Sequence, residues 1–250
     1  EWFTYAKARA SFAQVGNDMD AYQLYNTYSI GSDPNGNTTA GQGKTKYDAD
    51  VRSELITSWE AGAELKFFNN RLGVDFAWYK TNAKRQLMNI PLNNLSGYDN
   101  MKVNAGNIQN TGIEIMLNAR PIETAQFSWD TQLNFSQNKS KIIELLPGKP
   151  GMQYALGGSD ALQVYAVAGG AYGEIWGTKY QRVEEGEFKG QLLLNESGLP
   201  QATSDKHKIG EQQPDFLLGW TNTFNYKNFT LSFLIDGRFG GDIFSFTNMN

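Results

Sequence analysis

Residues 58–78, SWEAGAELKFFNNRLGVDFAW, decide the fold. Apolar side chains stand at every second position before the Asn69-Asn70 pair and again after it, and charged side chains occur only between them. This alternation has the period of a β-strand, and asparagine tolerates the positive φ angles of a tight hairpin turn. The stretch therefore predicts two antiparallel strands, each with one apolar and one polar face.

Four further segments alternate in the same way, and a seventh is less regular because Asn222 interrupts its apolar face. Across the six regular strands, ten charged residues occupy the polar positions and none occupies an apolar position. The chain is therefore predicted to be all-β. The apolar positions outside 58–78 are Ala6, Ala8, Ala10 and Phe12; Ile113, Ile115, Leu117 and Ala119; Phe127, Trp129, Thr131, Leu133 and Phe135; Leu218, Trp220 and Phe224; and Phe229, Leu231, Phe233 and Ile235.

Strict segregation of charge fits two kinds of sheet. An Arg or Lys on the lipid face of a membrane barrel costs about 2–4 kcal/mol at the bilayer midplane, so such a barrel excludes charge from that face. A water-soluble antiparallel sheet with one buried face gives the same pattern. Alternation alone therefore leaves a transmembrane barrel and a soluble sheet open.

The lengths of the connections favour the barrel. Tight turns are expected at Asn69-Asn70, at 226–228 and, slightly longer, at 120–126, whereas 16–57, 82–106 and 138–213 are long connections. Outer-membrane barrels combine short periplasmic turns with long extracellular loops, whereas structureless loops beyond about 12–15 residues are uncommon in compact domains. Seven up-and-down strands fit this alternation if the extended segment 172–180 lies inside the last long loop.

Aromatic residues cluster near both ends of the predicted strands. Trp and Tyr collect at the two membrane interfaces of barrels, although aromatic pairs also form across any β-sheet. The predicted interface aromatics are Trp59, Phe67, Phe68, Trp78, Phe127, Trp129, Tyr226 and Phe229.

Four stretches, spread over nearly the whole chain, carry a family resemblance. They are 7–17 (KARASFAQVGN), 58–81 with its Phe67-Phe68-Asn69-Asn70-Arg71 turn, 104–114 (NAGNIQNTGIE) and 214–244, from Pro214-Asp215-Phe216 to Gly240-Gly241-Asp242-Ile243-Phe244. In these residues and their order, the chain resembles the SusC/RagA-type TonB-linked outer-membrane transporters of Bacteroidetes.

The resemblance implies a barrel of about 22 strands in the outer membrane of a Gram-negative bacterium. It further implies an N-terminal plug, energy supplied through the TonB complex, a SusD-like surface lipoprotein as partner, and import of oligosaccharides or peptides. Residues 1–250 are then expected to be part of one barrel domain, with the plug, the TonB-binding segment and the C-terminal strands outside them. Seven strands are not expected to close a barrel by themselves.

Other kinds of chemistry find little support in the sequence. The formal net charge of −4 and 19% charged residues do not indicate a nucleic-acid surface, and the absence of cysteine excludes thiolate chemistry. His207, the single histidine, lies between lysines and is expected to be solvated rather than catalytic. No enzyme activity, metal or cofactor is predicted; the carboxylates Glu60, Glu64, Asp75, Glu114, Asp130 and Asp236 are expected to pair in the lumen with Lys7, Arg9, Lys66 and Arg238.

Substrate contacts are predicted on aromatic residues of the long loops, because stacking and hydrogen bonds hold sugars and peptides in concave sites. The candidates are Tyr98, Tyr154, Tyr165, Tyr172 and Trp176, and packing within the loops is the alternative role for each. Two other functions stay open at this stage. They are a passive outer-membrane porin and a soluble β-sandwich carbohydrate-binding module.

Overall fold

The computed structural model describes residues 2–19, 24–159 and 162–245, apart from the side chain of Asn94. Fourteen strands and one short 3₁₀ helix, Asn94–Ser96, make up the regular structure of these residues. The strands are β1 (Phe3–Asn17), β2 (Tyr28–Ser32), β3 (Thr38–Gln42), β4 (Thr45–Tyr47), β5 (Glu54–Phe67), β6 (Leu72–Pro91), β7 (Asn100–Glu123), β8 (Phe127–Glu144), β9 (Gln153–Gly158), β10 (Leu162–Val167), β11 (Tyr172–Gly177), β12 (His207–Glu211), β13 (Phe216–Tyr226) and β14 (Phe229–Phe239).

Seven long strands form one sheet, which we call the wall. They lie side by side in chain order, β1-β5-β6-β7-β8-β13-β14, and every neighbouring pair is antiparallel. Only the short strand β4 joins this sheet out of order, parallel to β7. The seven predicted strands and the all-β class are confirmed. Within the described residues, no helix has the length and apolar character needed to cross a membrane.

Short and long connections lie at opposite edges of the wall. At the turn edge, 68–71, 124–126 and 227–228 join successive strands. Phe68, Asn69 and Asn70 all have positive φ, and so does Lys227, as tight hairpin turns require. At the loop edge, the connections are 18–53, 92–99 and 145–215. This is the alternation that the sequence predicted.

The loop edge contains more regular structure than the sequence predicted. The expected loop 82–106 is mostly strand, because β6 and β7 stay paired as far as Pro91 and Asn100, which leaves only 92–99 as a loop. A hairpin of β2 and β3 lies within 18–53. The last connection folds into a four-stranded sheet, β12-β11-β10-β9, which we call the outer sheet; the extended segment predicted at 172–180 is its strand β11.

The buried apolar core lies at the loop edge rather than within the wall. Its centre consists of Ile142 at the end of β8, Leu145 directly after that strand, and Ala166 of β10 in the outer sheet. Partly buried side chains from both the wall and the outer sheet pack around them, namely Met88, Ile108, Met152, Tyr154, Leu156 and Ala168. Backbone hydrogen bonds from Ile142 to the Gly170 carbonyl and from Gly169 to the Ile142 carbonyl join the outer sheet to the wall. The outer sheet is therefore packed on the wall.

The register places all predicted apolar positions of the wall on one face. Ala63, for example, lies opposite Ala8 on one side and Phe76 on the other, and Phe76 lies opposite Ile115. This face is open rather than covered by a second sheet: Phe229 is 78% exposed and Leu231 63%. We call it the outer face, and the opposite face, which carries the charged residues, the lumen face.

Candidate functional site

Ion pairs lie on the lumen face, one between two strands and one within a single strand. Arg9 of β1 reaches over β5 and donates two hydrogen bonds to the carboxylate of Asp75 on β6, at 2.5 and 3.0 Å. Gly62 makes this possible, since a Cβ there would lie 2.8 Å from the Arg9 guanidinium carbon. Lys66 pairs with Glu64 at 3.0 Å. These pairs are among those that the sequence predicted.

Two other predicted partners differ from those observed. Asp130 accepts a hydrogen bond from Arg120 at 2.6 Å, and Arg120 also pairs with Glu123 at the turn edge. Arg238 donates to the backbone carbonyl of Gln212 rather than to a lumen carboxylate. Sequence reasoning missed Arg120 because this residue lies beyond the last alternating apolar position of its strand.

The polar interruption of the outer face is covered. Asn222, which breaks the apolar pattern of β13, is only 1% exposed, and its carbonyl oxygen accepts a hydrogen bond from the Trp129 indole at 2.9 Å. The Trp220 indole donates in the same way to the Thr131 hydroxyl at 2.8 Å. Because lipid offers no hydrogen bonds, polar atoms on a lipid-facing surface need partners within the protein. The two indole N–H groups and their acceptor oxygens meet that need, whereas the amide nitrogen of Asn222 is buried without a hydrogen-bond partner among the described residues.

A kink at the loop edge explains the Asn104-Ala105-Gly106-Asn107 motif. Arg85 and Gly106 face each other in the β6–β7 hairpin, and both have positive φ, 59° and 83°. The Asn104 side chain accepts from the Arg52 backbone N–H at 2.5 Å and donates to the carbonyls of Arg52 and Arg85. The motif therefore fixes the segment before β5 onto the extended hairpin, which is a structural role.

A buried carboxylate holds the outer sheet together. Glu174 of β11 is 5% exposed and accepts hydrogen bonds from Lys208 Nζ and the Trp176 indole, both at 3.0 Å. Lys208 also donates to Glu211 at 3.1 Å. Burial lowers the pKa of Lys208, but its hydrogen bonds to the two carboxylates outweigh burial and raise that pKa above its ordinary value. The pair fixes β12 against β11.

A large, open cavity lies beside this sheet, and we call it the outer cavity. Its volume is about 1480 Å³, more than the roughly 300–1,000 Å³ of sites for drug-sized ligands, so it has room for an oligomer. Most of its lining comes from the segment between β11 and β12. Short backbone bridges, such as Tyr180 to Ala202 and Arg182 to Leu192, shape that segment.

The five predicted substrate aromatics lie elsewhere. Tyr154 packs on the core, and Tyr165 meets the Trp176 ring edge-on with 6.1 Å between centroids. Tyr98 accepts a hydrogen bond from Gln42 Nε2 at 2.6 Å, and Tyr172 is exposed at the start of β11. None of the five lines the outer cavity. Their role in substrate contact stays a prediction.

The sequence pattern did not single out the residues that do line the outer cavity. Tyr180, which is 62% exposed, is not among the five predicted loop aromatics, and His207 was predicted only to be solvated; both line the cavity. The available signal was the charge of the segment 179–189, which mixes lysine, arginine and glutamate with apolar residues. Pattern alone does not show which of these side chains face one space.

The predicted interface aromatics lie on both edges of the wall. Phe67, Phe127, Trp129, Tyr226 and Phe229 lie beside the turn edge, with Phe68 in a turn itself. Towards the loop edge, Trp59 contacts Phe12 with 4.5 Å between centroids, and Trp78 lies opposite Ala61. That these aromatics lie at the membrane interfaces remains a prediction.

A wall of antiparallel strands with one apolar and one charged face, tight turns at one edge and folded loops at the other, belongs to the class of outer-membrane β-barrels. Residues 1–236 match the family described as TonB dependent receptor-like, beta-barrel, and the chain belongs to that family. Its place is the outer membrane of a Gram-negative bacterium. This is a family of transporters and receptors rather than of enzymes.

Curated relatives and solved structures agree with this assignment. The chain is 28% identical to TonB-dependent receptor P3 of Formosa agariphila, over 96% of the chain and 26% of that protein. It is 29% identical to TonB-dependent receptor SusC of Bacteroides thetaiotaomicron, over 88% of the chain and 23% of that protein. The chain thus spans about a quarter of the length of these relatives.

Two solved structures have the same fold. The structure of the RagAB peptide transporter matches with a TM-score of 0.72 and 18% identity, over 94% of this chain and 26% of that one. The RagAB peptide importer in its closed-closed state matches with a TM-score of 0.75 and 18% identity, over 96% and 27%. At such identity, the likeness concerns the fold.

Proposed function

We propose that this chain forms wall and outer loops of a TonB-dependent importer that carries oligosaccharides or peptides across the outer membrane. The observation that carries the proposal is the two-faced wall within a family of TonB-dependent receptors. The proposal includes a single barrel domain, to which residues 1–250 contribute seven strands and the rest of the full-length protein contributes the plug and the remaining strands.

The charged lumen face supports a wide, polar interior. The ion pair of Arg9 with Asp75 and that of Arg120 with Asp130 lie on the face that would line it. Barrels of about 22 strands enclose a lumen that a plug must fill, so passage depends on energy supplied from outside the barrel. A soluble β-sandwich would need a second sheet over the outer face, whereas the outer sheet packs at the loop edge.

A SusD-like lipoprotein is the proposed partner at the loop edge, and the TonB complex is the proposed partner on the periplasmic side. The similarity to SusC supports the lipoprotein partner. The loop edge is folded, since Glu174 and Asn104 each hold separate segments together, and it therefore offers a fixed surface to a partner.

The test uses the full-length protein in its own outer membrane. Uptake of labelled oligosaccharides and of labelled peptides is measured with and without a protonophore, and heat-modifiable gel mobility verifies that the barrel is folded. We expect uptake of one class to stop when the proton-motive force is dissipated, and a lipoprotein to co-purify in detergent. Uptake that continues unchanged would identify a passive porin instead.

A pair of variants locates the function in the chain. Replacing residues 179–203 by a short Gly-Ser linker removes most of the outer cavity, whereas the matched control shortens the β2–β3 turn at 33–37. Both should keep heat-modifiable mobility. We expect only the first to lose uptake; equal uptake in both variants would show that the outer cavity plays no part in import.

A further inference from the structure

The outer cavity has a charge different from that of the segment that builds it. Residues 177–209 contain five carboxylates and five Lys or Arg residues and are formally neutral. The lining of the cavity is not neutral, because Glu184 is its single carboxylate. Its basic residues are Lys179, Arg182, Lys189 and His207. The other carboxylates of the segment, Glu185, Glu187, Glu196 and Asp205, lie outside the lining.

Two of the cations lack a carboxylate partner at ion-pair distance among the described residues. Neither Lys179 nor Lys189 forms an ion pair there. Arg182 is held in place on the cavity wall, because its guanidinium donates to the Gly190 carbonyl at 2.7 Å. A concave site lined by one sign of charge attracts ligands of the opposite sign. The lining therefore selects for anions.

The rest of the lining is largely apolar. Leu162, Val183, Leu193 and Ile209 contribute to it, together with the rings of Tyr180 and Phe244. Sugars are held by stacked aromatic rings and many side-chain hydrogen bonds. Besides Tyr180, the uncharged polar side chains of this lining are Thr178, Gln181 and Thr203, and the last two already donate to backbone carbonyls. Aliphatic side chains beside cations fit a ligand that alternates apolar and acidic groups, and a peptide offers both.

From this charge segregation we propose that the outer cavity binds acidic peptides, with Lys179, Arg182 and Lys189 facing the carboxylates and Leu193 and Ile209 facing the apolar side chains. The inference rests on the proposed function and names the substrate class of its outer site. Neutral peptides and acidic oligosaccharides should bind there more weakly.

The test measures binding to the full-length protein in detergent. The probes are a fluorescein-labelled octapeptide of alternating Glu and Leu, its Gln-for-Glu counterpart, and an oligogalacturonate of equal charge. The test variant is Lys179→Gln combined with Lys189→Gln. The matched control is Lys206→Gln, in the same segment but outside the cavity lining. Two exposed charge pairs contribute about 0.2–1 kcal/mol each, so the Glu peptide should bind the test variant roughly two- to thirtyfold more weakly.

The Glu peptide should bind wild type more tightly than the Gln peptide does, and its affinity should fall with added salt. Lys206→Gln should leave that affinity unchanged. Equal affinity for the two peptides, an equal loss in the control, or tighter binding of the oligogalacturonate would overturn the inference. The proposed function is judged separately by the uptake assay. Equal affinity for the two peptides would overturn only the inference about acidic peptides, because an importer of neutral ligands would still show protonophore-sensitive uptake.

Discussion

A positive charge placed at either of two adjacent positions of β7 tests which face of the wall meets lipid. Leu117 lies on the outer face, opposite Val74 and Leu133, whereas Met116 lies on the lumen face, opposite Asp75. Both are apolar residues in the middle of the wall part of the same strand. We therefore expect Leu117→Arg to prevent stable insertion of the barrel and Met116→Arg to be tolerated.

The magnitude follows from what each arginine would meet. On the outer face, an arginine enters lipid near the midplane at a cost of about 2–4 kcal/mol. On the lumen face, it lies opposite the Asp75 carboxylate and gains between about 0 and 1 kcal/mol, since the site is solvated. The difference of about 2–5 kcal/mol corresponds to a factor of roughly thirty to several thousand in the folding equilibrium.

The assay is urea titration of the full-length protein folded into lipid vesicles, with heat-modifiable mobility as the measure of the folded fraction. Leu117→Arg should unfold at clearly lower urea than wild type, and Met116→Arg at nearly the wild-type concentration. If the two variants were equally unstable, or if Met116→Arg were the worse, the assignment of faces would be refuted.

Three further changes have defined outcomes. Gly106→Ala forces a side chain onto φ +83° and should cost about 1–2 kcal/mol, seen as faster protease cleavage at the β6–β7 hairpin; unchanged cleavage would contradict the kink. Trp129→Phe should lower the free energy of unfolding by about 1–3 kcal/mol in urea titration, because it leaves the Asn222 carbonyl oxygen without its donor. Adding Asn222→Leu should restore stability; a double variant as unstable as Trp129→Phe would contradict this role of the pair. The raised pKa of Lys208 contributes stability below about pH 10.5 that is lost as pH rises through the higher folded pKa, so protease resistance of the outer sheet should fall there. Glu174→Gln should weaken that dependence, because Glu211 remains as the second partner of Lys208; an unchanged dependence would contradict the role of Glu174.

The wall could be predicted because its information is local. In each strand, the alternation of apolar and polar residues predicts which side chains lie on which face. The turn residues Asn69 and Asn70 indicate where the chain reverses. The extension of β6 and β7 to Pro91 and Asn100 could not be read in the same way. There the hairpin has no single apolar face, since Lys84, Gln86 and Asn89 interrupt the pattern.

The outer sheet and the outer cavity depend on contacts between distant segments. Tyr154 was a candidate for substrate contact, with packing within the loops as its alternative role, and β9 folds onto Ile142 and places that ring against the core. Lys179 and Lys189 line one space because the backbone bridges between 180 and 202 fold the segment back on itself. Sequence spacing carries no sign of such folding, whereas the faces of strands follow directly from it.

Lipid accessibility along β5 tests the central claim most directly. Residues 1–250 contain no cysteine, and single cysteines are placed at each position from Trp59 to Phe67 except Gly62, where a Cβ would collide with Arg9. The full-length protein, free of other cysteines, is spin-labelled in vesicles. We expect labels at 59, 61, 63, 65 and 67 to be reached by oxygen dissolved in the lipid, and labels at 60, 64 and 66 by a water-soluble nickel complex. Absence of this two-residue alternation, or access of the nickel complex to position 63, would contradict a lipid-facing wall.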